Sequence, residues 1–464
     1  MFKRDLINQM REWSNRSPHK PLVIRGARQV GKSTLVRQFG SEFDVFIEVN
    51  LEQTADARIF QQTDDVIEIW KFLCLRNNIV SDSEKRTLLF IDEIQEVPQA
   101  ISLLRYFYEK MPWLHVITAG SRLQSLLKDK GHESASRRTR IAFPVSRVEY
   151  LNLRPFSFTE YVRAMEGEDW VNLLQNLEVS TIMHDRMTKL FNQYALVGGM
   201  PEVVANFAEN QDIVALSPIF NSLLKGYSED VEYYAKNENQ KHIIRHILST
   251  LWFSAAETIT FANFGNSNYT STQIHEAMEC LEKAFLISLD YPITSTALPA
   301  IPNKRRKPKL ITLDSGLTNF FVGIQTEYLQ NKNLLDTWRG RAAEQIVAQE
   351  LRVLLDRDFR DMQCYWIRDK NNTKAELDFI WQKDTQIIPI EVKAGTNSHF
   401  RSIHSFVNNA THLVTAIRIW GGEFMVQDVF TPQPDKRPYR LISIPFYYVG
   451  QLESILHKYL RYSD

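Results

Sequence analysis

Gly26-Ala-Arg-Gln-Val-Gly31-Lys32-Ser33 follows the apolar run Leu22-Val23-Ile24, and residue types in this order suit phosphate chemistry. They fit G-x-x-x-x-G-K-[ST], a strand–loop–helix nest that wraps phosphates in backbone N–H groups. Gly26 and Gly31 let the backbone curl inward, and the main chain of Ala27, Arg28, Gln29 and Val30 lines the curl. Lys32 is expected to reach the β- and γ-phosphates, and Ser33 to offer its hydroxyl to Mg²⁺. Thr34 leads into Leu35, Val36 and Phe39, the helical apolar spacing that such a loop feeds. Residues 26–34 are therefore expected to hold a nucleoside triphosphate with Mg²⁺.

A second set of groups follows the apolar run Thr87–Ile91: Asp92 and Glu93. Ligands of open α/β sheets bind at the carboxyl ends of strands, which brings this pair beside the phosphate loop. Asp92 would then hold Mg²⁺ through its water shell, and Glu93 would orient and polarise the attacking water. The run Trp113–Thr118 ends in Thr118-Ala119-Gly120-Ser121, where Ser121, in preference to Thr118, could sense the γ-phosphate or simply cap a helix.

The C-terminal third holds a third set. Val347, Ala348, Leu351 and Leu355 lie on the helical face that begins at Glu344, and a carboxylate centred on an apolar stripe is costly unless paired or bound to a metal. Alternation in Ala375–Trp381 places Glu376 and Asp378 on one face of a strand. Ile387–Lys393 likewise aligns Glu391 with Lys393, and the 13 positions from Asp378 to Glu391 suit a hairpin.

These residues need a scaffold. With 464 residues the chain exceeds what one core supports, and 44% hydrophobic with 24% charged residues describes a globular protein. Lysine plus arginine and aspartate plus glutamate both number 55, so no global basic field points to nucleic acid. Cys74, Cys280 and Cys364 are too scattered for a metal or redox motif and read as reduced cysteines. Neither a signal-peptide core nor a membrane-spanning run is visible, so a soluble cytoplasmic protein without membrane contact is expected. Strands at Leu22–Ile24, Asp44–Val49, Thr87–Ile91, Trp113–Thr118 and Arg147–Leu151 alternate with helical patterns and predict a parallel sheet. Helical patterning runs from Phe156 to about Lys236. Helices near Lys241–Leu251 and Thr272–Ala284 then precede strands Leu286–Leu289 and Lys309–Leu313, an order resembling a winged helix. The candidate reading helix shows Glu276, Glu279 and Glu282, which would repel phosphates, whereas the loop Asn303–Lys309 has five basic residues in seven positions. A solvated basic hairpin and a nucleic-acid backbone contact both fit that loop.

The phosphate-loop segment, Phe90-Ile-Asp-Glu-Ile-Gln95 and Ala119-Gly-Ser-Arg-Leu123 together resemble prokaryotic AAA+-type ATPases with a C-terminal domain of unknown function. Leu153–Glu160, Val197–Glu202 and Leu313–Asn319 extend the resemblance over nearly the whole chain. It implies a helical lid and, often, an arginine contact to the nucleotide. That family usually has Gly-Arg before the fifth strand; Ser146-Arg147 stands here, which makes Arg147 a candidate sensor or a plain surface arginine. Glu344, Asp378 and Glu391-x-Lys393 resemble the PD-(D/E)XK nuclease core, which implies that the acids hold Mg²⁺ and that Lys393 stabilises developing charge.

The expected fold is α/β: an AAA+-type P-loop core over 1–155, a helical lid over 156–236, a winged-helix-like domain over 237–325, and a restriction-endonuclease-like domain over 326–464. The leading expectation is an ATP cycle that controls a nuclease-like module acting on nucleic acid. A switch that binds DNA or protein without cutting is the alternative, and a stand-alone repressor is disfavoured by the acidic helix. The oligomeric state stays open.

Overall fold

Strands buried on both faces must be apolar throughout, and the first third of the chain supplies them. The computed structural model describes residues 2–80, 82–120, 146–325, 336–355, 362–368, 375–394 and 400–460. They divide into two compact units: residues 1–154 with 283–285, and residues 155–282 with 286–464.

Unit 1 is built on β1 (Leu22–Arg25), β2 (Val45–Asn50), β3 (Thr87–Asp92), β4 (His115–Ala119) and β5 (Glu149–Asn152), all parallel, in the order β2-β3-β4-β1-β5. Every residue of β3 and β4 is buried, as two covered faces require. Among the described residues, the helices of the unit are α1 (Leu6–Ser14), α2 (Lys32–Gly40), α3 (Thr54–Gln62), α4 (Val66–Arg76) and α5 (Pro98–Lys110). One face of the sheet shares a core of Val23, Ile47, Val49, Leu89, Ile91 and Val116 with Phe60, Trp70, Leu73, Leu104 and Phe107 from α3, α4 and α5. Proline opens α5 where its missing N–H costs nothing. The parallel register puts the ends of β1 and β3 on the same edge of the sheet. β5 starts at Glu149 and leaves Arg147 outside it, a shorter strand than the sequence pattern implied.

Unit 2 begins with five helices: α6 (Phe158–Glu166), α7 (Glu168–Gln175), α8 (Thr181–Val197), α9 (Pro201–Asn210) and α10 (Ser217–Tyr234). Ser157 and Glu160 close α6 with a reciprocal capping box. Next come α11 (Glu238–Leu248), β6 (Glu257–Thr258), α12 (Ser271–Lys283), β7 (Ile287–Asp290), β8 (Pro292–Ile293), β9 (Lys309–Thr312) and α13 (Ser315–Phe321). β6, β9 and β7 form a three-stranded antiparallel sheet with β9 in the middle. Glu282, expected on the exposed face of the reading helix, instead accepts the Leu289 N–H at 2.8 Å.

The chain then runs through α14 (Asp336–Leu355), β10 (Cys364–Ile367), β11 (Glu376–Lys383), β12 (Gln386–Lys393), α15 (Arg401–Asn409), β13 (Val414–Trp420), β14 (Met425–Phe430), β15 (Pro438–Pro445) and α16 (Leu452–Tyr459). Their sheet has the order β14-β15-β13-β12-β11-β10-β8, so the short β8 ties the loop before β9 to this larger sheet. β10, β11 and β12 are antiparallel neighbours, and β13 joins β12 in parallel after α15. Trp366, Leu377, Ile380, Ile403, Phe406 and Leu441 share its core.

Candidate functional site

In unit 1, β1 delivers the chain into a loop whose backbone has little choice of residue. Gly26 sits at φ 149°, and a Cβ there would lie 2.2 Å from the Leu153 carbonyl oxygen. Gln29 (φ 64°) and Gly31 (φ 91°) continue the curl, and Gly31 caps α2. Lys32 is buried, and its Nζ donates to the carbonyls of Gly26 (3.1 Å) and Ala27 (2.8 Å), so the ammonium lies within the loop. Arg4, which lies outside every motif, braces the loop. Its Nη1 donates to the Val30 carbonyl at 3.0 Å and its Nη2 to the Arg154 carbonyl at 2.6 Å.

Asp92 ends β3 and is buried, with the Ser33 hydroxyl near enough to favour its charged form. Its Oδ1 accepts the Glu93 N–H at 3.0 Å. Burial pushes the Asp92 carboxyl above its ordinary range; the Ser33 hydroxyl acts the other way. Both of these partners are neutral, so the carboxylate and hydroxyl are a donor set suited to a divalent cation. Glu93 has the left-handed φ of 49°, a conformation that gathers at functional sites in non-glycine residues. Gln95 Nε2 donates to Glu93 Oε2, while Gln95 Oε1 is buried with no hydrogen-bond partner among the described residues. A Cβ on Gly120 would fall 2.1 Å from that oxygen, so glycine at the end of β4 leaves Gln95 its place. In the sequence Gln95 appears only as the end of the Phe90–Gln95 segment, without a role of its own; its position two residues beyond Glu93 is the available signal.

Two expected sensors fare differently. Ser121 lies outside the described residues. Arg147 stands before β5, at the end of that strand opposite the phosphate loop, with its guanidinium 3.5 Å from Glu109 and over the Tyr108 ring at 5.9 Å. This arrangement does not bring it to the nucleotide loop: the strand that follows it leads toward that loop from the far edge. Thr118, passed over in favour of Ser121, has a fully buried hydroxyl with no partner among the described residues.

In unit 2 the third set does assemble. The β11–β12 register pairs Phe379 with Ile390, and one step further faces Asp378 toward Glu391. Asp378 Oδ2 accepts the Val392 N–H at 2.7 Å, and Lys393 forms an ion pair with Glu391. Glu344 comes in from α14, but the charge that meets it was not foreseen. Lys309, counted in the sequence with an exposed basic loop, has a side chain only 3% exposed, with Nζ 2.9 Å from Glu344, 3.6 Å from Glu376 and 3.8 Å from Asp378. Lys304, Arg305, Arg306 and Lys307 are exposed as expected.

Burial pushes the Glu344 carboxyl up to about 7, with the Asp378 charge adding and Lys309 opposing. Burial also pushes Glu391 up to about 7 against the Lys393 hydrogen bond, and Glu391 Oε2 has no partner among the described residues. Burial would lower the Lys309 ammonium, but Glu344, Asp378 and Glu376 together outweigh it and raise it. Among the described residues no three histidine, cysteine or acidic side chains converge as a group able to hold a metal ion. Glu344, Asp378 and Glu391, expected as metal ligands, are thus neighbours whose near charges are lysines.

A five-stranded parallel sheet, a glycine-curled loop on a helix N-terminus and an acid at the next strand end but one define a P-loop nucleotide-hydrolase domain. Residues 18–162 match the AAA domain family, so the domain is of AAA type. Residues 188–328 and 339–428 match two domains of unknown function, DUF8612 and DUF4143. No curated protein sequence matched. Similar solved structures include the Walker-type ATPase PABY2304 of Pyrococcus abyssi, at 17% identity and TM-score 0.43, over 69% of this chain and 96% of that one. The Orc1 protein of Aeropyrum pernix in complex with DNA shares 12% identity at TM-score 0.29, over 72% and 95%. AMPPCP-bound DnaA from Aquifex aeolicus shares 12% identity at TM-score 0.26, over 60% and 86%. Among the described residues no helix is long and apolar enough to cross a membrane.

Proposed function

We propose that this protein is an ATP-hydrolysing AAA-type switch whose cycle controls a nuclease-like module that engages nucleic acid. The observation that carries the ATPase part is the glycine-curled loop holding the Lys32 ammonium, with Asp92 buried at the end of β3 and Glu93 aimed by Gln95. Bound MgATP would supply the phosphoanhydride that is cleaved. Residues 26–34 bind it: backbone N–H groups and Lys32 take phosphate oxygens, and Ser33 and Asp92 hold Mg²⁺. Glu93 orients water and takes its proton on a carboxylate oxygen, while Gln95 keeps that carboxylate in one rotamer. Lys32→Ala is expected to abolish tight ATP binding, and Glu93→Gln to keep binding while reducing turnover at least a hundredfold. Wild-type hydrolysis by Glu93→Gln would remove Glu93 from the mechanism.

For unit 2 we propose a lid over 156–236, a winged-helix-like part over 237–325 and a nuclease-like part over 326–464. The β6-β9-β7 sheet, with β6 before α12 and β7 and β9 after it, supports the second, and the succession α14-β10-β11-β12-α15-β13 supports the third. The exposed Lys304–Lys307 loop offers the nucleic-acid contact. A binding switch without cutting is favoured by one observation, the buried Lys309 among the acids. Incubating protein with plasmid, Mg²⁺ or Mn²⁺ and ATP separates the two. Cleavage abolished by Asp378→Ala supports the nuclease, and a mobility shift without cleavage supports the switch.

A further inference from the structure

The carboxylates of the nuclease-like module already have a cation, and it is covalently part of the chain. Lys309 opens β9, the middle strand of the three-stranded sheet, where it is paired with Asp290 of β7 and Thr258 of β6. Its backbone is therefore fixed on both sides, and its side chain runs into the acids between the rings of Tyr365 and Phe379, 5.5 and 5.6 Å from Nζ. Nζ is 2.9 Å from Glu344, 3.6 Å from Glu376 and 3.8 Å from Asp378, so three carboxylates from α14 and β11 surround one ammonium. The other oxygen of Asp378 takes the Val392 N–H, and Glu391 has Lys393.

A divalent ion sharing Glu344 Oε2 would sit, with metal–oxygen lengths of about 2 Å, within about 5 Å of the ammonium. Charges of like sign at that separation in a buried site repel strongly. The expected Mg²⁺ therefore does not fit the residues present. We propose that Lys309 is a built-in counter-cation that holds Glu344, Glu376 and Asp378 as an ion-paired joint, so that this module binds no divalent metal there and does not cut. The joint ties the three-stranded sheet to α14 and the seven-stranded sheet within unit 2. The inference rests on the nuclease-like reading only for the expectation of a metal, and its test uses neither nucleic acid nor ATP turnover.

The experiment is a Mn²⁺ titration of the nucleotide-free full chain, followed by electron paramagnetic resonance. In the wild-type background, Asp378→Asn, which keeps an acceptor for the Val392 N–H, is expected to leave both stoichiometry and affinity unchanged. A tenfold or greater loss of affinity, or loss of one bound ion, would overturn the proposal. Lys309→Gln is expected to gain one Mn²⁺ per chain, at least tenfold tighter than any such site in the wild type, and Lys309→Gln combined with Asp378→Asn to lose it again. A folded Lys309→Gln protein, with wild-type near-ultraviolet circular dichroism, that gains no ion also overturns the proposal. Should that variant not fold, the comparison of wild type with Asp378→Asn decides alone. Because ATP turnover is read separately, failure of the ATPase assignment and failure of this one are distinguishable.

Discussion

Arg4 shows how a single residue outside any motif can govern one. It is 5% exposed, and its guanidinium ties the Val30 carbonyl inside the phosphate loop to the Arg154 carbonyl near the end of unit 1. A loop that must present its N–H groups inward is served by a fixed donor holding its outward carbonyl. Arg4→Gln removes charge and reach together, and a charged hydrogen bond of this kind contributes about 1.5–3 kcal/mol. The expected result is ATP binding weakened about tenfold, with a smaller change in kcat because Glu93 and Gln95 remain in place. Calorimetric titration with a non-hydrolysed ATP analogue, beside steady-state kinetics, checks the split. A fall in kcat with unchanged affinity would instead assign Arg4 to the chemical step.

At the scale of elements, the β1–loop–α2 unit is the tightest constraint on sequence. Gly26→Ala places a methyl 2.2 Å from the backbone oxygen of Leu153, at a φ of 149° that L-residues rarely adopt. The loop must then open, at a cost of about 1–3 kcal/mol, and ATP binding should be lost. A melting temperature and nucleotide affinity both equal to wild type would contradict this. Such a loop is legible in sequence because local backbone needs, glycine at two turns and a helix after them, select its residues. α14 was legible only in part. Val347, Ala348 and Leu351 are buried as their spacing implied, but Gln345, Gln349 and Glu350 are buried as well. Gln345 exchanges hydrogen bonds with the backbone of Thr312, Gln349 takes the Ser315 N–H, and Glu350 takes the Phe158 N–H and the Tyr194 hydroxyl. Helical periodicity separates apolar from polar faces but does not see a polar face that is satisfied by distant backbone. Lys309 escaped for the same reason. Four exposed cations precede it, and its nearest acid lies 35 positions later, so only the assembled sheets distinguish it from a solvated charge.

At the scale of the whole molecule, the two units carry buried titratable groups of opposite sense. In unit 1, His115 is stacked on His19 at 4.0 Å, and its Nε2–H donates to the Ser14 carbonyl at 3.0 Å. Burial first, and the neighbouring His19 second, push the His115 imidazole down to about 4. The unfolded chain, with a histidine near 6.5, therefore binds the extra proton, and this stabilisation is complete above 6.5 and lost as pH falls toward 4. In unit 2, burial pushes Glu350 up to about 7 and Asp314 up to about 6. Here the folded state keeps the proton, so the contribution is complete below the ordinary carboxyl range and is lost as pH rises through those values. Shifts of this size correspond to about 3 kcal/mol per group. Urea unfolding of His115→Gln and Glu350→Gln across pH 4–7.5 isolates each term from the rest of the chain. The destabilisation caused by His115→Gln should grow with rising pH, whereas Glu350→Gln should become progressively less harmful or turn stabilising. Parallel slopes for the two variants would mean that one of these burials is relieved in solution, and the variant whose slope has the wrong sign identifies which.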